Sequence, residues 1–269
     1  MKSIFLFIII FFYSNISNAV EFRGKFEQGS FIIGKATKGS KIEVDKRKIR
    51  LTKDGYFAFG LDRDRKNDVV IKIHENGKTK IIERKILKRD YKIQKIDGLA
   101  KKHVTPPPEV YERIKKDNIL IGKARSIDTT YDYFKDKFIN PIDKYIITGV
   151  YGSQRILNGI PKWPHYGLDF AQKKGTPIKA MNNGIVTLAE KDLFYTGATL
   201  IFDHGHGVST LYMHMDKIFV NKGDHVKKGD IVGTVGSSGR STGPHLDIRL
   251  NWFGTRLDPA TILNVKKWR

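Results

Sequence analysis

His165 and Asp169 stand four residues apart in Pro164-His165-Tyr166-Gly167-Leu168-Asp169, and a second His/Asp pair follows in Gly243-Pro244-His245-Leu246-Asp247. Imidazole and carboxylate are the donors zinc takes where no thiolate is on offer, and this chain has no cysteine. A catalytic zinc site needs three protein donors, an open position for water and a neighbouring group that moves protons. His165, Asp169 and Asp247, with His245 and His214 beside them, satisfy that requirement. The H-x-x-x-D spacing is weak evidence by itself, because histidines also cap turns and satisfy buried hydrogen bonds. The residue types point to a metal-dependent hydrolase.

The neighbourhood strengthens the reading. Gly149 to Gly159 runs just ahead of the first pair and includes Arg155 and Asn158. Asp203-His204-Gly205-His206-Gly207, Tyr212-Met213-His214 and Val226-Lys227-Lys228-Gly229-Asp230 lie between the pairs. At these ordered motifs, roughly from Tyr145 to Leu263, the chain resembles the lysostaphin-type (LytM-type) zinc endopeptidases that cut peptidoglycan peptides. The resemblance implies that His165 and Asp169 are two metal ligands and that His214 and His245 are the catalytic, non-ligand histidines. It also implies one zinc ion per chain and antiparallel sheets with long loops over a groove.

One position departs from the family. Its terminal motif is H-x-H, and the second histidine is the third zinc ligand; here that position is Asp247. Around a doubly charged ion, two imidazoles and one carboxylate leave a formal +1, whereas one imidazole and two carboxylates leave zero. A less positive centre is a weaker Lewis acid, and carboxylates favour harder ions such as manganese. Asp247 therefore predicts a weakened site rather than an abolished one. By the same charge argument, Asp247→His is expected to strengthen zinc binding.

The remaining histidines lack partners at ligand spacing. His204 and His206 belong to the D-H-G-H-G turn and read as turn or wall residues. His225 sits in a turn ahead of Lys227 and Lys228, and His74 and His103 lie outside the matching region.

Several elements must position these side chains. Residues 1–19 read as a secretory signal peptide: Lys2 gives a positive start, Ile4 to Tyr13 is apolar, and Ser17-Asn18-Ala19 supplies small residues at a cleavage site. That apolar run is shorter than the roughly 20 residues of a membrane-spanning helix, which places the processed chain in the periplasm or cell envelope. Residues 20–96 read as a small β-sandwich, with strand-like runs at Ser30–Ile33, Lys48–Leu51, Tyr56–Phe59, Val69–Ile73 and Lys80–Ile82. Asp54-Gly55 and Asn76-Gly77 are the expected hairpin turns. Residues 97–140 form a Pro-containing linker with a helix over Glu109 to Gly122, on which Val110, Ile114, Ile119 and Leu120 share a face. Residues 141–269 are the peptidase-like domain. The fold class is mainly β.

The net charge of +21 arises from 49 basic and 28 acidic residues and is dispersed: residues 20–96 alone hold 22 Lys and Arg against 11 Asp and Glu. No helix-turn-helix or zinc-finger pattern accompanies it. A polyanionic envelope target suits an exported basic protein better than nucleic acid does, although a lysine-rich genome would give the same excess. Three functions are compatible with these residues. The leading one is an exported zinc endopeptidase acting on peptidoglycan peptides. The others are a catalytically degenerate relative that binds cell wall or activates another wall hydrolase, and a basic binding protein with structural histidines. A protein partner in the envelope is left open. Intact-mass measurement of the exported protein should show residues 1–19 missing and Val20 at the start; an envelope form retaining Met1 would refute the leader assignment.

Overall fold

The computed structural model describes residues 20–98 and 104–263; the leader at 1–19 and His103 lie outside the described residues. The chain is mainly β, as its alternation and turn chemistry predict. Glu21–Arg23, Phe31–Lys35 and Tyr56–Gly60 form a three-stranded antiparallel sheet. Arg47–Ile49, Lys41–Val44, Val69–Glu75 and Lys78–Arg84 form a second, four-stranded one. Strand residues alternate faces, so Val69, Ile71 and Ile73 turn inward together. They join Phe31, Phe57 and Phe59 of the other sheet in one buried cluster.

The turns match the sequence reading only in part. Asn76 (φ 49) and Gly77 (φ 72) make a two-residue hairpin between Glu75 and Lys78, both residues left-handed as a type I′ turn requires. Asp54-Gly55 is not such a hairpin: Arg47–Ile49 and Tyr56–Gly60 belong to different sheets, so this turn carries the chain from one sheet to the other. The hairpin that the sequence concealed lies at Asp45 (φ 49) and Lys46 (φ 69), joining Val44 to Arg47. No glycine marks it. Tertiary bonds hold Asp45 in place instead: its carboxylate accepts from Arg65 Nη1 at 2.6 Å and from the Val70 amide at 3.1 Å.

After Pro107, extended at φ −71 and ψ 152, a 3₁₀ turn at Pro108–Val110 leads into the helix Tyr111–Arg125. The packed face matches the expected one only in part: Val110 and Ile114 are half-buried in line with it. Ile121 and Ala124 meet Leu188, Leu193, Ile201 and Leu211 on the C-terminal sheet, whereas Ile119 and Leu120 are exposed. Asp117, on the packed side, accepts a hydrogen bond from the Phe194 amide at 2.7 Å.

Ten strands make the C-terminal sheet. Its main path runs His225–Val226, Gly184–Leu193, Gly197–Asp203, Val208–Ile218, His245–Trp252, Leu168–Ala171, Ile146–Gly149. Neighbours along this path are antiparallel. Gly197–Asp203 is buried throughout, as a strand covered on both faces must be. A separate small sheet contains a parallel pair: Ile93–Ile96, at the end of the N-terminal segment, runs alongside Gln154–Leu157.

The N-terminal sheets share their core with the C-terminal one. Phe134, Val208, Leu250, Trp252 and Leu257 belong to the same buried cluster as Phe57 and Phe59. Gly60 leaves room for Leu257, whose side chain a Cβ there would meet at 2.7 Å. Polar contacts reinforce the seam: Arg63 donates through Nε and Nη2 to the Gly152 carbonyl at 3.0 and 2.6 Å, and Arg89 pairs with Asp258 at 2.8 Å. Leu257→Ala should therefore lower stability by about 2–5 kcal/mol and loosen both regions together in one urea transition. Independent unfolding of the N-terminal sheets at unchanged stability would contradict a shared core.

Candidate metal centre

Register brings the two His/Asp pairs together. Leu168–Ala171 and His245–Trp252 are antiparallel neighbours in which Asp169 faces Asp247 and Ala171 faces His245. Alternation sends Leu168, Phe170, Leu246 and Ile248 into the core. Asp169, His245 and Asp247 are left on the opposite face. His165 reaches the same point from the preceding loop. Its amide donates to the Ser153 carbonyl at 2.8 Å, and its carbonyl accepts from the Gly152 amide at 2.7 Å. Gly152, in the turn that holds His165 by these bonds, is the residue Arg63 grips.

One potential donor atom each from His165, Asp169 and Asp247 lies within 4.8 Å of the others, and all three residues are buried. Like charges directly opposite on neighbouring strands repel, and burial sharpens the repulsion. Two arginines oppose it. Arg155 Nη2 lies 3.4 Å from Asp169 Oδ2, and Arg249 Nη2 lies 3.1 Å from Asp247 Oδ2. His165 Nε2 is 3.1 Å from Asp169 Oδ1. Burial would push the Asp169 carboxyl up, but the His165 imidazole and the Arg155 guanidinium outweigh it and hold the group well below the usual carboxylate range.

Both ring nitrogens of His165, Oδ1 of Asp169 and Oδ1 of Asp247 are buried without a satisfying hydrogen bond. Buried polar atoms are normally paired, and one nitrogen with two carboxylate oxygens converging on a point is a donor set for a divalent cation. The residues fit a metal ion. Two glycines cradle the carboxylates: a Cβ on Gly149 would meet Asp169 Oδ2 at 2.1 Å, and one on Gly167 would meet Asp247 Oδ1 at 1.9 Å.

His214 and His245 stand together beside this cluster, ring centroids 4.8 Å apart. Each uses Nδ1 on a backbone carbonyl, His214 on Ser238 and His245 on Gly243, both at 2.8 Å. A carbonyl can only accept, so Nδ1 carries a proton in both rings, and in a neutral ring Nε2 then keeps its lone pair. Burial pushes His214 down to about 4, which keeps it neutral. His214 is also held left-handed, at φ 62. Both histidines line an open cleft of about 320 Å³ with Asp169, Asp247, Arg155 and Arg240. Gln94 and Ile96 of the parallel strand form part of its wall.

The five residues singled out in the sequence thus meet in one place. His204 is elsewhere: it is buried, with its two nitrogens on the Asn183 carbonyl and the Thr210 hydroxyl at 2.7 and 2.8 Å. His206 reaches the Arg50 carbonyl at 3.2 Å, and His225 is exposed. Sequence reading missed Arg249, Gly149 and Gly167. Strand alternation in Asp247-Ile248-Arg249 would have placed Arg249 on the face of Asp247. The glycines gave no such signal, because their neighbours come from other strands.

Residues 163–259 match the family model described as Peptidase family M23. The DD-carboxypeptidase/endopeptidase Mpg of Neisseria meningitidis is 38% identical over 98 residues, which are 36% of this chain and 22% of that protein. The peptidoglycan DD-endopeptidase ShyA of Vibrio cholerae is 40% identical over 87 residues, 32% of this chain and 20% of that protein. The chain thus spans about a fifth of the length of these curated relatives. In three dimensions, a solved structure described as a peptidase M23 from Pseudomonas aeruginosa superposes with a TM-score of 0.68 at 23% identity. It covers 88% of this chain and 95% of that one, and the shared feature is the fold. The fold and the matched segment define a metallopeptidase-type domain. Residues 163–259 are a peptidase family M23 domain by this match.

The cradles give a test that leaves every donor in place. Gly167→Ala should displace Asp247 Oδ1 and lower metal affinity at least about tenfold, the scale of an outer-shell change, with Gly149→Ala acting through Asp169. Equilibrium dialysis against zinc would measure this, with far-UV circular dichroism checking the fold. Unchanged affinity in both variants would mean that the carboxylates do not hold the metal.

Proposed function

We propose that this protein is an exported zinc metalloendopeptidase that hydrolyses peptide cross-links of peptidoglycan. The observation that carries the proposal is the convergence of buried His165, Asp169 and Asp247, each with a donor atom that makes no hydrogen bond, beside two imidazoles whose Nδ1 atoms are engaged by backbone carbonyls. The name of ShyA, a peptidoglycan DD-endopeptidase, supplies the substrate class. Among the described residues no helix is long and apolar enough to cross a membrane.

His165, Asp169 and Asp247 hold the metal. The ion, when bound, polarises the scissile carbonyl and makes a neighbouring water more acidic. His245 accepts a proton from the attacking water at Nε2, while its Nδ1–H stays on the Gly243 carbonyl and fixes the ring. A donor role for His214 toward the developing oxyanion has to fit its tautomer. With Nδ1–H committed to Ser238, neutral His214 accepts at Nε2 and becomes a donor there only after gaining a proton. The adjacent imidazoles therefore form a relay: the proton taken from water is the one returned to the oxyanion or the departing amine.

One observation favours a second reading, a degenerate relative that binds wall or activates another hydrolase: Asp247 stands where the family has its third histidine ligand. Metal analysis of residues 20–269, with loss of peptide cross-links from purified peptidoglycan read as dimeric muropeptides converted to monomers after a muramidase digest, separates the two. His165→Ala and Asp169→Ala should each shed zinc. His214→Ala and His245→Ala should keep it and lose turnover about 10²-fold or more. A wild-type protein that binds a full equivalent of zinc yet leaves the cross-links of the wall intact would favour the degenerate relative. Full zinc retention in the ligand variants would sink the metal assignment.

A further inference from the structure

We propose that Arg249 is the counterpart of Asp247, a positioning residue that makes a carboxylate workable as the third donor of the metal centre. This rests on the reading of Asp247 as a ligand. Arg249 lies two residues beyond Asp247 on the same face of His245–Trp252, while Leu246, Ile248 and Leu250 fill the core behind. Its Nη2 holds Asp247 Oδ2 at 3.1 Å, and Oδ1 is left buried without a partner. The carboxylate is thereby divided, one oxygen fixed by a guanidinium and one offered to the cluster. Asp169 is divided in the same way, with Oδ2 toward Arg155 and Oδ1 toward His165.

The division has two physical consequences. First, Asp247 offers one oxygen where an imidazole would offer one nitrogen, so the donor count is preserved. Second, the charge is preserved one layer out. A doubly charged ion with two imidazoles and one carboxylate is formally +1, and Arg155 raises the total to +2. With one imidazole and two carboxylates the ion and its donors total zero, and Arg155 and Arg249 together restore +2. The deficit that the sequence assigns to Asp247 is therefore offset by Arg249.

The match also runs in reverse. Arg249 lies within the electrostatic reach of Arg125 and Arg240, each of which it disfavours as a cation, and its ion-pair partner is Asp247. An imidazole at that position would leave Arg249 facing a neutral ring, a doubly charged ion and like charges. The sequence-based expectation that Asp247→His strengthens zinc binding is reversed while Arg249 is present.

A four-member comparison tests this on the full chain: wild type, Asp247→His, Arg249→Met and the double variant. Zinc affinity is read by competition with a chromogenic chelator, and Tm is read on metal-free protein. Asp247→His should bind zinc at least about tenfold more weakly than wild type. Adding Arg249→Met to it should recover at least about tenfold. Without metal, Arg249→Met alone should lower Tm by several degrees, because a buried carboxylate loses its partner. In the Asp247→His background the same change should leave Tm unchanged or raise it. Equal zinc affinity of Asp247→His with and without Arg249→Met overturns the proposal. Asp247→Ala separates this from a failure of the ligand reading: retained wild-type zinc affinity removes Asp247 from the metal and the proposal with it. Loss of zinc in Asp247→Ala, combined with indifference to residue 249, keeps the ligand and overturns only the role of Arg249.

Discussion

Two buried carboxylates face each other across adjacent antiparallel strands, and much of the C-terminal half is arranged so that they can. Asp169 and Asp247 are register partners, on a sheet whose other face is core. The repulsion between them is met from three directions: His165 from the loop before the strand, Arg155 from a neighbouring small sheet, and Arg249 from the same strand as Asp247. Each oxygen not used by an arginine points to the shared space. Gly149 and Gly167 supply room that any side chain would occupy.

Loop geometry ties this arrangement to the N-terminal sheets. Arg63 donates twice to Gly152, the Gly152 amide donates to the His165 carbonyl, and the His165 amide donates to Ser153. The side chain of His165 itself makes no stabilising bond outside the cluster, so its position depends on backbone contacts set by a segment more than eighty residues earlier. The core that Phe57 and Phe59 share with Leu250, Trp252 and Leu257 makes that dependence rigid. Ile93–Ile96 extends the same coupling to the wall of the cleft. His214 and His245 are fixed by backbone carbonyls instead, that of Ser238 for His214 and that of nearby Gly243 for His245, which makes Nδ1 the donor in each ring.

The basic surface stands apart from this chemistry. Its excess is spread over the sequence, and Lys78–Arg84, an edge strand of the four-stranded sheet, carries part of it. Charged side chains on an exposed edge discourage pairing with another chain, which is one physical use for the excess that requires no ligand.

The sequence alone determined the mainly β fold, the Asn76-Gly77 hairpin and the five residues that gather at the candidate centre, because residue type, spacing and local turn chemistry carry those facts. It misjudged Asp54-Gly55 and passed over Asp45-Lys46, since whether a turn joins partners in one sheet depends on strand pairing. It wrongly put Ile119 and Leu120 on the packed face of the helix, whose apolar residues are too evenly spread for periodicity to decide. Asp247 was legible as a substitution, but the arginine bound to it was not read as its complement. The glycine cradles, the division of each carboxylate between a guanidinium and the shared space, and the grip of Arg63 on the Gly152 turn that holds His165 were decided by tertiary structure. Each is a contact between residues far apart in sequence, and no local pattern encodes a distance that only folding closes.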